Sequence, residues 1–184
     1  MNRPAPISPN LVRPTKFAHA VFRTRQLQAM IDWYCTVLGA HVVFGNARIA
    51  FLTYDDEHHR IALVASDELA DRAPSMSVGF YHCAFTYAGL PQLLQNYVRL
   101  KAVGIMPYRT IVHGPTVSMY YRDPDGNELE LQIDAFPSAD EATEWMKGDA
   151  FSGNPIGILF EAEGMLRRYE AGESVASLTR RADA

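Results

Sequence analysis

The chain has 184 residues, of which 48% are hydrophobic and 21% are charged, and its formal net charge is −4. This composition is ordinary for a soluble globular protein, and the acidic balance argues against nucleic acids and anionic membranes as partners. Two cysteines, Cys35 and Cys83, are too few for a disulfide framework and predict a reducing, cytoplasmic location.

The N-terminal segment, residues 1–15, is rich in proline and is predicted to be a loosely held arm. It lacks the apolar stretch that is typical of a signal peptide. Nowhere does the sequence contain the roughly 18 consecutive apolar residues that indicate a membrane-spanning helix.

The segments that follow the arm repeat each other. A shift of 63 residues carries His19 onto His82 and aligns two F-x-H-x-x-F motifs. After each motif, apolar residues recur at i, i+3, i+4 and i+7, which is the spacing of one helix face. Gly39 and Gly104 follow these predicted helices at the position of a glycine cap. Strand-like runs come next, at 41–44, 48–54 and 60–65 in the first copy and at 106–111, 116–122 and 128–133 in the second.

The repeat predicts two βαβββ modules, at residues 16–66 and 78–136, joined by a linker at 67–77. A module of roughly 60 residues buries little core alone, so the two are expected to pair through their sheets. The predicted fold class is α+β, with the paired modules forming a curved, open sheet barrel around a metal site.

A C-terminal helical extension is predicted for residues 137–184. Ser138 and Glu141 have the spacing of a capping box and predict a helix through about Lys147. A second, charged helix is predicted over 163–171, and the last dozen residues are predicted to fray.

The run from His113 to Gln132 carries the strongest local pattern. Asp123-Pro124-Asp125-Gly126-Asn127 is a turn sequence between two strand-like runs and predicts a β-hairpin. In its return strand, alternation places Glu128, Glu130 and Gln132 on one face.

Three residues have the types and placement of metal ligands. His19 and His82 occupy equivalent positions of the repeat, so a pseudo-two-fold pair of modules can bring both imidazoles to one point. Glu130 then completes a set of two histidines and one carboxylate, which leaves coordination positions open and suits non-haem Fe(II). The alternative is that each histidine is a hydrogen-bonded core residue, but their matched positions favour a metal.

These features resemble the vicinal oxygen chelate superfamily, which includes glyoxalases, fosfomycin-resistance enzymes, bleomycin-binding proteins and type I extradiol dioxygenases. The resemblance rests on the F-x-H strands, on DWYCTVLG at 32–39 and on DPDGNELEL at 123–131, and it spans about residues 16–136. Glyoxalase-like members have a fourth ligand where this chain has Ala62. A metal ion that is held by three protein ligands keeps coordination positions open, which favours the binding of a diol together with O₂.

Further residues resemble the extradiol enzymes. The resemblance implies that His59, the second member of a His-His pair, is the acid–base residue. It also implies that His113 and Tyr120 contact the substrate hydroxyl and oxygen, and that Phe51 forms an aromatic wall of the substrate pocket. The alternatives are that His59 is a solvated turn residue, that His113 caps a turn, and that Tyr120 and Phe51 pack in the sheets. The tail sequence GNPIG at 153–157 resembles the single-domain branch that includes small 2,3-dihydroxybiphenyl dioxygenases.

The resemblance implies Fe(II)-dependent extradiol (meta) cleavage of a catecholic ring by O₂ in aromatic hydrocarbon catabolism, with Mn(II) as the alternative metal. The expected partners are a small aromatic diol, O₂ and further copies of the same chain. A metal-dependent thiol transferase of the fosfomycin-resistance kind, or another enzyme of the superfamily, is the alternative. A non-catalytic binding module is the third hypothesis.

Overall fold

The computed structural model describes residues 11–72 and 77–183. The first ten residues of the predicted arm (1–15), four residues of the predicted linker (67–77) and Ala184 lie outside the described residues. The boundaries proposed for the arm, the linker, the two modules and the extension remain predictions.

The first module contains β1 (Ala20–Thr24), α1 (Leu27–Leu38), β2 (His41–Gly45), β3 (Ile49–Thr53) and β4 (Ile61–Ala65). Its sheet has the order β1-β4-β3-β2, with β1 parallel to β4. Helix α1 buries Met30, Tyr34 and Val37, which lie on one face as the apolar spacing predicted. The helix ends at Gly39, whose φ of 67° lies in the left-handed region that favours glycine.

The second module repeats this order with β5 (His82–Thr86), α2 (Leu90–Ala102), β6 (Arg109–Val112), β7 (Thr116–Arg122) and β8 (Glu128–Asp134). Its sheet has the order β5-β8-β7-β6-β9, in which β9 (Ile158–Leu159) comes from the C-terminal extension. Val21 pairs with Ala62 in the first sheet, and Ala84 pairs with Glu130 in the second. Because Val21 and Ala84 are equivalent in the repeat, this register confirms Ala62 as the counterpart of Glu130.

The α+β class and the two βαβββ modules are confirmed, and the sheets are curved without closing into a barrel. Among the described residues no hydrogen-bonded strand pair joins the two sheets. The modules instead meet in shared cores to which both contribute residues, including residues of helix α1. Its Tyr34 packs in a core with Leu129 of the second module, and its Val37 packs in a core with Leu131.

The hairpin turn between β7 and β8 is held by a buried carboxylate. Asp123 Oδ1 accepts hydrogen bonds from the backbone N–H of Asp125 and Asn127, at 3.0 and 2.8 Å. Its Oδ2 accepts from Asn127 Nδ2 at 2.7 Å and from the Tyr34 hydroxyl at 3.2 Å. Burial raises the pKa of Asp123. The turn therefore ties the strand that carries Glu130 to helix α1 of the other module.

The extension adds α3 (Ala139–Met146), α4 (Asp149–Gly153), β9, α5 (Ala162–Glu170) and α6 (Val175–Leu178). The predicted capping box is confirmed, since Ser138 Oγ accepts a hydrogen bond from the Glu141 N–H at 3.2 Å. The predicted fraying of the last dozen residues is wrong, because Leu178 and Arg181 are each only 2% exposed. No helix in the described ranges combines the length and apolarity needed to cross a bilayer.

Candidate metal centre

Each sheet has an open face that is turned away from the helices. Side chains alternate between the two faces of a strand, so the strand register identifies the residues on the open face. The open face of the first sheet carries Val21, Ala62 and Phe51 as neighbours, and that of the second sheet carries Ala84, Glu130 and Tyr120. All seven residues predicted for the site lie on or beside these two faces.

Four of the predicted site residues meet on the second sheet. Glu130 is only 6% exposed, and its Oε2 lies 3.0 Å from His82 Nε2. The other carboxylate oxygen, Oε1, accepts a hydrogen bond from the Tyr120 hydroxyl at 3.0 Å. His113 lies beyond Tyr120, with its Nε2 2.8 Å from the same hydroxyl. We call this set, His82, His113, Tyr120 and Glu130, the second-sheet cluster.

The ring orientation of His113 is set by the backbone. Its Nδ1 faces the carbonyl oxygen of Ile156, which can only accept a hydrogen bond, so Nδ1 carries a proton. Burial lowers the pKa of His113 and raises that of Tyr120. A neutral His113 therefore presents a lone pair on Nε2 to a protonated phenol, and the Tyr120 proton can be donated to either His113 or Glu130.

Three predicted residues meet on the first sheet. The ring centroids of His19 and His59 are 4.3 Å apart, and those of His59 and Phe51 are 4.6 Å apart and stacked. Burial lowers the pKa of His59, and the nearby His19 lowers it further. We call His19, His59 and Phe51 the first-sheet cluster. His58, the residue that precedes His59 in the sequence, is exposed.

The two clusters are not brought together within one chain. Across residues 11–72 and 77–183, no group of three or more histidine, cysteine, aspartate or glutamate side chains is placed to hold a metal ion. The structure thus joins His82 to Glu130, while His19 contacts His59 instead. The assignment of all three as ligands of one ion remains a proposal.

Sequence reasoning missed polar and aromatic side chains around the second-sheet cluster. Arg109 pairs with Tyr120 in the register of β6 and β7, and its guanidinium carbon lies 4.3 Å from the Tyr120 ring centroid. Arg109 also donates a hydrogen bond to the Tyr81 hydroxyl at 3.2 Å, and the Tyr81 ring packs edge-on against His82. The alternation of side chains along β6 would have indicated which of its residues share a face with Arg109. The sequence alone, however, does not give the register of β6 against β7, which places Arg109 beside Tyr120.

The C-terminal extension reaches this cluster through buried backbone contacts. Arg181 donates hydrogen bonds to the carbonyl oxygens of His113 and Asn154, at 3.0 and 2.8 Å, and to the carboxylate of Asp183. Gly157 has a φ of +100°, and a Cβ at this position would lie 2.3 Å from the Val112 carbonyl oxygen. Only glycine therefore allows the Ile156 carbonyl to approach His113 so closely.

Replacing Arg181 with methionine is expected to lower the free energy of unfolding by about 1–3 kcal/mol, because buried carbonyl groups lose their donor. It should also reduce turnover, since the anchor of the His113 backbone is lost. Thermal unfolding and steady-state kinetics measure the two effects. The matched control is Arg180→Met, which removes an exposed arginine from the adjacent position. Equal effects of the two variants would contradict an anchoring role for Arg181.

Comparison with known proteins adds independent information. Residues 16–131 match the family model of the Glyoxalase/Bleomycin resistance protein/Dioxygenase superfamily. The chain is 45% identical over 164 residues to biphenyl-2,3-diol 1,2-dioxygenase 2 of Rhodococcus globerulus, covering 89% of this chain and 86% of that protein. It is also 45% identical over 169 residues to biphenyl-2,3-diol 1,2-dioxygenase 3 of the same organism, covering 91% and 88%. Among solved structures, a glyoxalase/dioxygenase from Nostoc punctiforme shares the fold with a TM-score of 0.55 at 24% identity, covering 69% of this chain and 99% of that one.

Proposed function

The chain belongs to the glyoxalase/bleomycin resistance protein/dioxygenase superfamily, and from this premise we propose that it is an extradiol ring-cleavage dioxygenase. It opens a catecholic ring beside the two hydroxyl groups and incorporates both atoms of O₂. The observation that carries this proposal is the 45% identity, over most of both chains, to two proteins named biphenyl-2,3-diol 1,2-dioxygenases. The two free cysteines support the cytoplasm as the compartment.

The second-sheet cluster fits two ligands of the proposed Fe(II) ion. Two ligand atoms at about 2.1 Å from one ion and at right angles lie about 3 Å apart, and His82 Nε2 and Glu130 Oε2 are separated by 3.0 Å. When bound, Fe(II) would supply Lewis-acid activation of the diol and the electron transfer that O₂ requires. His19 is the proposed third ligand.

The remaining residues of the two clusters handle protons and position the ring. His59, whose pKa is lowered by burial, is a free base at neutral pH and accepts the proton of a substrate hydroxyl. Tyr120 donates a hydrogen bond towards the oxygens on which negative charge develops, and His113 accepts or returns its proton. Phe51 offers the face of an aromatic ring beside His59, which suits the stacking of a flat substrate.

An assay with three diols tests this function. The protein is purified without oxygen, loaded with ferrous iron and supplied with catechol, 3-methylcatechol or 2,3-dihydroxybiphenyl in air-saturated buffer. The expected result is a yellow ring-fission product from at least one diol, formed only with metal. A protein that leaves all three diols intact and instead adds a thiol to fosfomycin would be the alternative enzyme of the transferase kind. Turnover of neither substrate class would favour a binding module.

A further inference from the structure

We propose that Arg109 binds a negatively charged group of the substrate, so that the preferred diol is a catecholic ring that carries a carboxylate. Arg109 belongs to the second sheet, and the proton and metal chemistry given above leaves it without a role. The assignment names a class of substrate for the proposed function and rests on that function.

Arg109 lies on the open face of the second sheet, next to the residues that face the substrate. It pairs with Tyr120 in the register of β6 and β7, and directly opposed residues of an antiparallel pair point to the same face. Its guanidinium carbon lies 4.3 Å from the centroid of the Tyr120 ring, whose hydroxyl contacts both His113 and Glu130. The positive charge is therefore about one aromatic ring away from the groups that handle the diol oxygens.

A second tyrosine holds the guanidinium in this position. Arg109 Nη2 donates a hydrogen bond to the Tyr81 hydroxyl at 3.2 Å, and the Tyr81 ring packs edge-on against His82. The Tyr120 ring packs edge-on against the same histidine. Because Arg109 Nε is buried, the terminal nitrogens are the part of the group that a ligand can reach. The guanidinium is thus held beside the proposed metal ligand His82.

Arg109 also has no carboxylate partner, unlike comparable arginines. In the described ranges, three arginines are partly or fully buried: Arg60, Arg109 and Arg181. Arg60 forms an ion pair with Asp55 at 3.0 Å, and Arg181 forms one with Asp183 at 2.7 Å. No described carboxylate lies within ion-pair distance of Arg109. Because withdrawing a charge from water is costly unless it is paired, an unpaired guanidinium beside a reaction site indicates an anionic ligand.

The two glutamates of β8 on the same face are already engaged. Glu128 accepts hydrogen bonds from Tyr108 at 2.6 Å and from Arg122 at 3.0 Å, and Glu130 belongs to the second-sheet cluster. Neither is free to turn towards Arg109 without breaking these contacts. A ligand that brings its own negative charge is therefore attracted to this point of the face.

A carboxylate matches the site better than a neutral ring substituent does. A guanidinium is planar, and its parallel N–H donors fit the two oxygens of a carboxylate. A methyl or phenyl group in the same place would displace water from Arg109 and leave its donors without acceptors. Sites built to hydrogen-bond one group discriminate strongly against analogues that lack it. Arg109 therefore favours carboxylated diols over neutral ones.

Binding to metal-free protein tests the subsite separately from the reaction. The probes are 2,3-dihydroxybenzoate and 3-(2,3-dihydroxyphenyl)propanoate, each compared with its neutral amide. They are titrated into protein labelled with ¹⁵N, and the Arg109 Nε–H signal is assigned by its absence from the spectrum of Arg109→Gln. At least one carboxylate should shift this signal to saturation, and its amide should not. A signal that acid and amide move equally, or that neither acid moves, would overturn the proposal.

Arg122 provides the matched control within the same spectra. It also stacks on a tyrosine, with its guanidinium carbon 4.1 Å from the Tyr108 ring centroid, but Glu128 is its partner at 3.0 Å. Its Nε–H signal should therefore stay in place when the carboxylates are added. Equal shifts of the Arg122 and Arg109 signals would show unspecific attraction of anions and would contradict a subsite.

Kinetics of the iron-loaded protein give the second readout. The wild-type protein should prefer at least one carboxylated diol over its amide by about 10- to 100-fold in kcat/KM, as expected for hydrogen bonds to a charged group. Arg109→Gln should lose this preference through a higher KM for the carboxylate, and Arg122→Gln should keep it. A fall of kcat by the same factor for acid and amide would show that Arg109 only positions Tyr120, and the subsite would be wrong.

The subsite and the reaction can fail separately. If the wild-type protein cleaves neutral diols and shows neither a carboxylate preference nor a shift of the Arg109 signal, the subsite is wrong and the dioxygenase function stands. If carboxylates shift the Arg109 signal but no diol is cleaved, the anion site stands and the proposed reaction is wrong.

Discussion

Replacing Glu130 with glutamine is expected to lower iron affinity by about 100-fold or more, because even partners outside the ligand shell contribute 10–100-fold to metal affinity. The amide keeps the size of the side chain and an oxygen for Tyr120, but it removes the negative charge that faces His82. Ring cleavage should fall in parallel with metal content. Iron analysis after gel filtration and a diol cleavage assay measure the two quantities on the same sample.

Glu128→Gln is the matched control for this substitution. Glu128 lies two residues earlier on β8 and on the same face, where it accepts hydrogen bonds from Tyr108 at 2.6 Å and Arg122 at 3.0 Å. The same chemical change at this position should leave iron binding near the wild-type level. If Glu130→Gln retains iron as well as Glu128→Gln does, Glu130 is not a ligand.

His59→Gln should have the opposite pattern, with iron retained and turnover lost. A positioned general base contributes typically about 10²–10⁴-fold to rate, so a loss in this range is expected in kcat at saturating diol. Glutamine fills much of the space beside Phe51 and His19 but cannot accept a proton near neutral pH. Iron content and kcat, measured side by side, separate the role of a base from that of a ligand.

The control for this variant is His58→Gln, at the exposed neighbouring position. His58 lies with its Nδ1 2.6 Å from His59 Nδ1 but does not pack on Phe51, and it should be replaceable with little loss of rate. Loss of iron in His59→Gln would show that His59 belongs to the metal shell. A rate close to that of His58→Gln would show that it is not the base.

Much of the fold could be predicted because the sequence repeats its own local signals. The 63-residue shift predicted two βαβββ modules, and the strand register then placed Ala62 and Glu130 at equivalent positions. The hairpin was predicted from the turn-forming residues between Asp123 and Asn127. In the structure, the Asp123 side chain accepts hydrogen bonds from the backbone N–H groups of Asp125 and Asn127 within this turn. The helices and the hairpin turn depend on contacts between residues that are close in the sequence, so patterns of residue type are sufficient to indicate them.

The features that were missed depend on contacts between distant segments. The last dozen residues were predicted to fray because chain termini are usually poorly ordered. Arg181 is nevertheless buried, and it donates hydrogen bonds to the carbonyl oxygens of His113 and Asn154, contacts that no local sequence pattern indicates. The role of Arg109 depends on the register of β6 against β7. The ligand set was predicted from equivalent positions in the repeat. Equivalence alone does not bring His19 and His82 together, because the strands that follow or contain them belong to separate sheets.

The fate of isotopically labelled oxygen tests the proposed chemistry most directly. Iron-loaded protein is supplied with a diol that it consumes under ¹⁸O₂, and the product is analysed at once by mass spectrometry. Extradiol cleavage predicts a ring-opened product that contains both atoms of the labelled O₂. A product with one labelled atom or none, or an aromatic ring that remains closed, would contradict dioxygenase function.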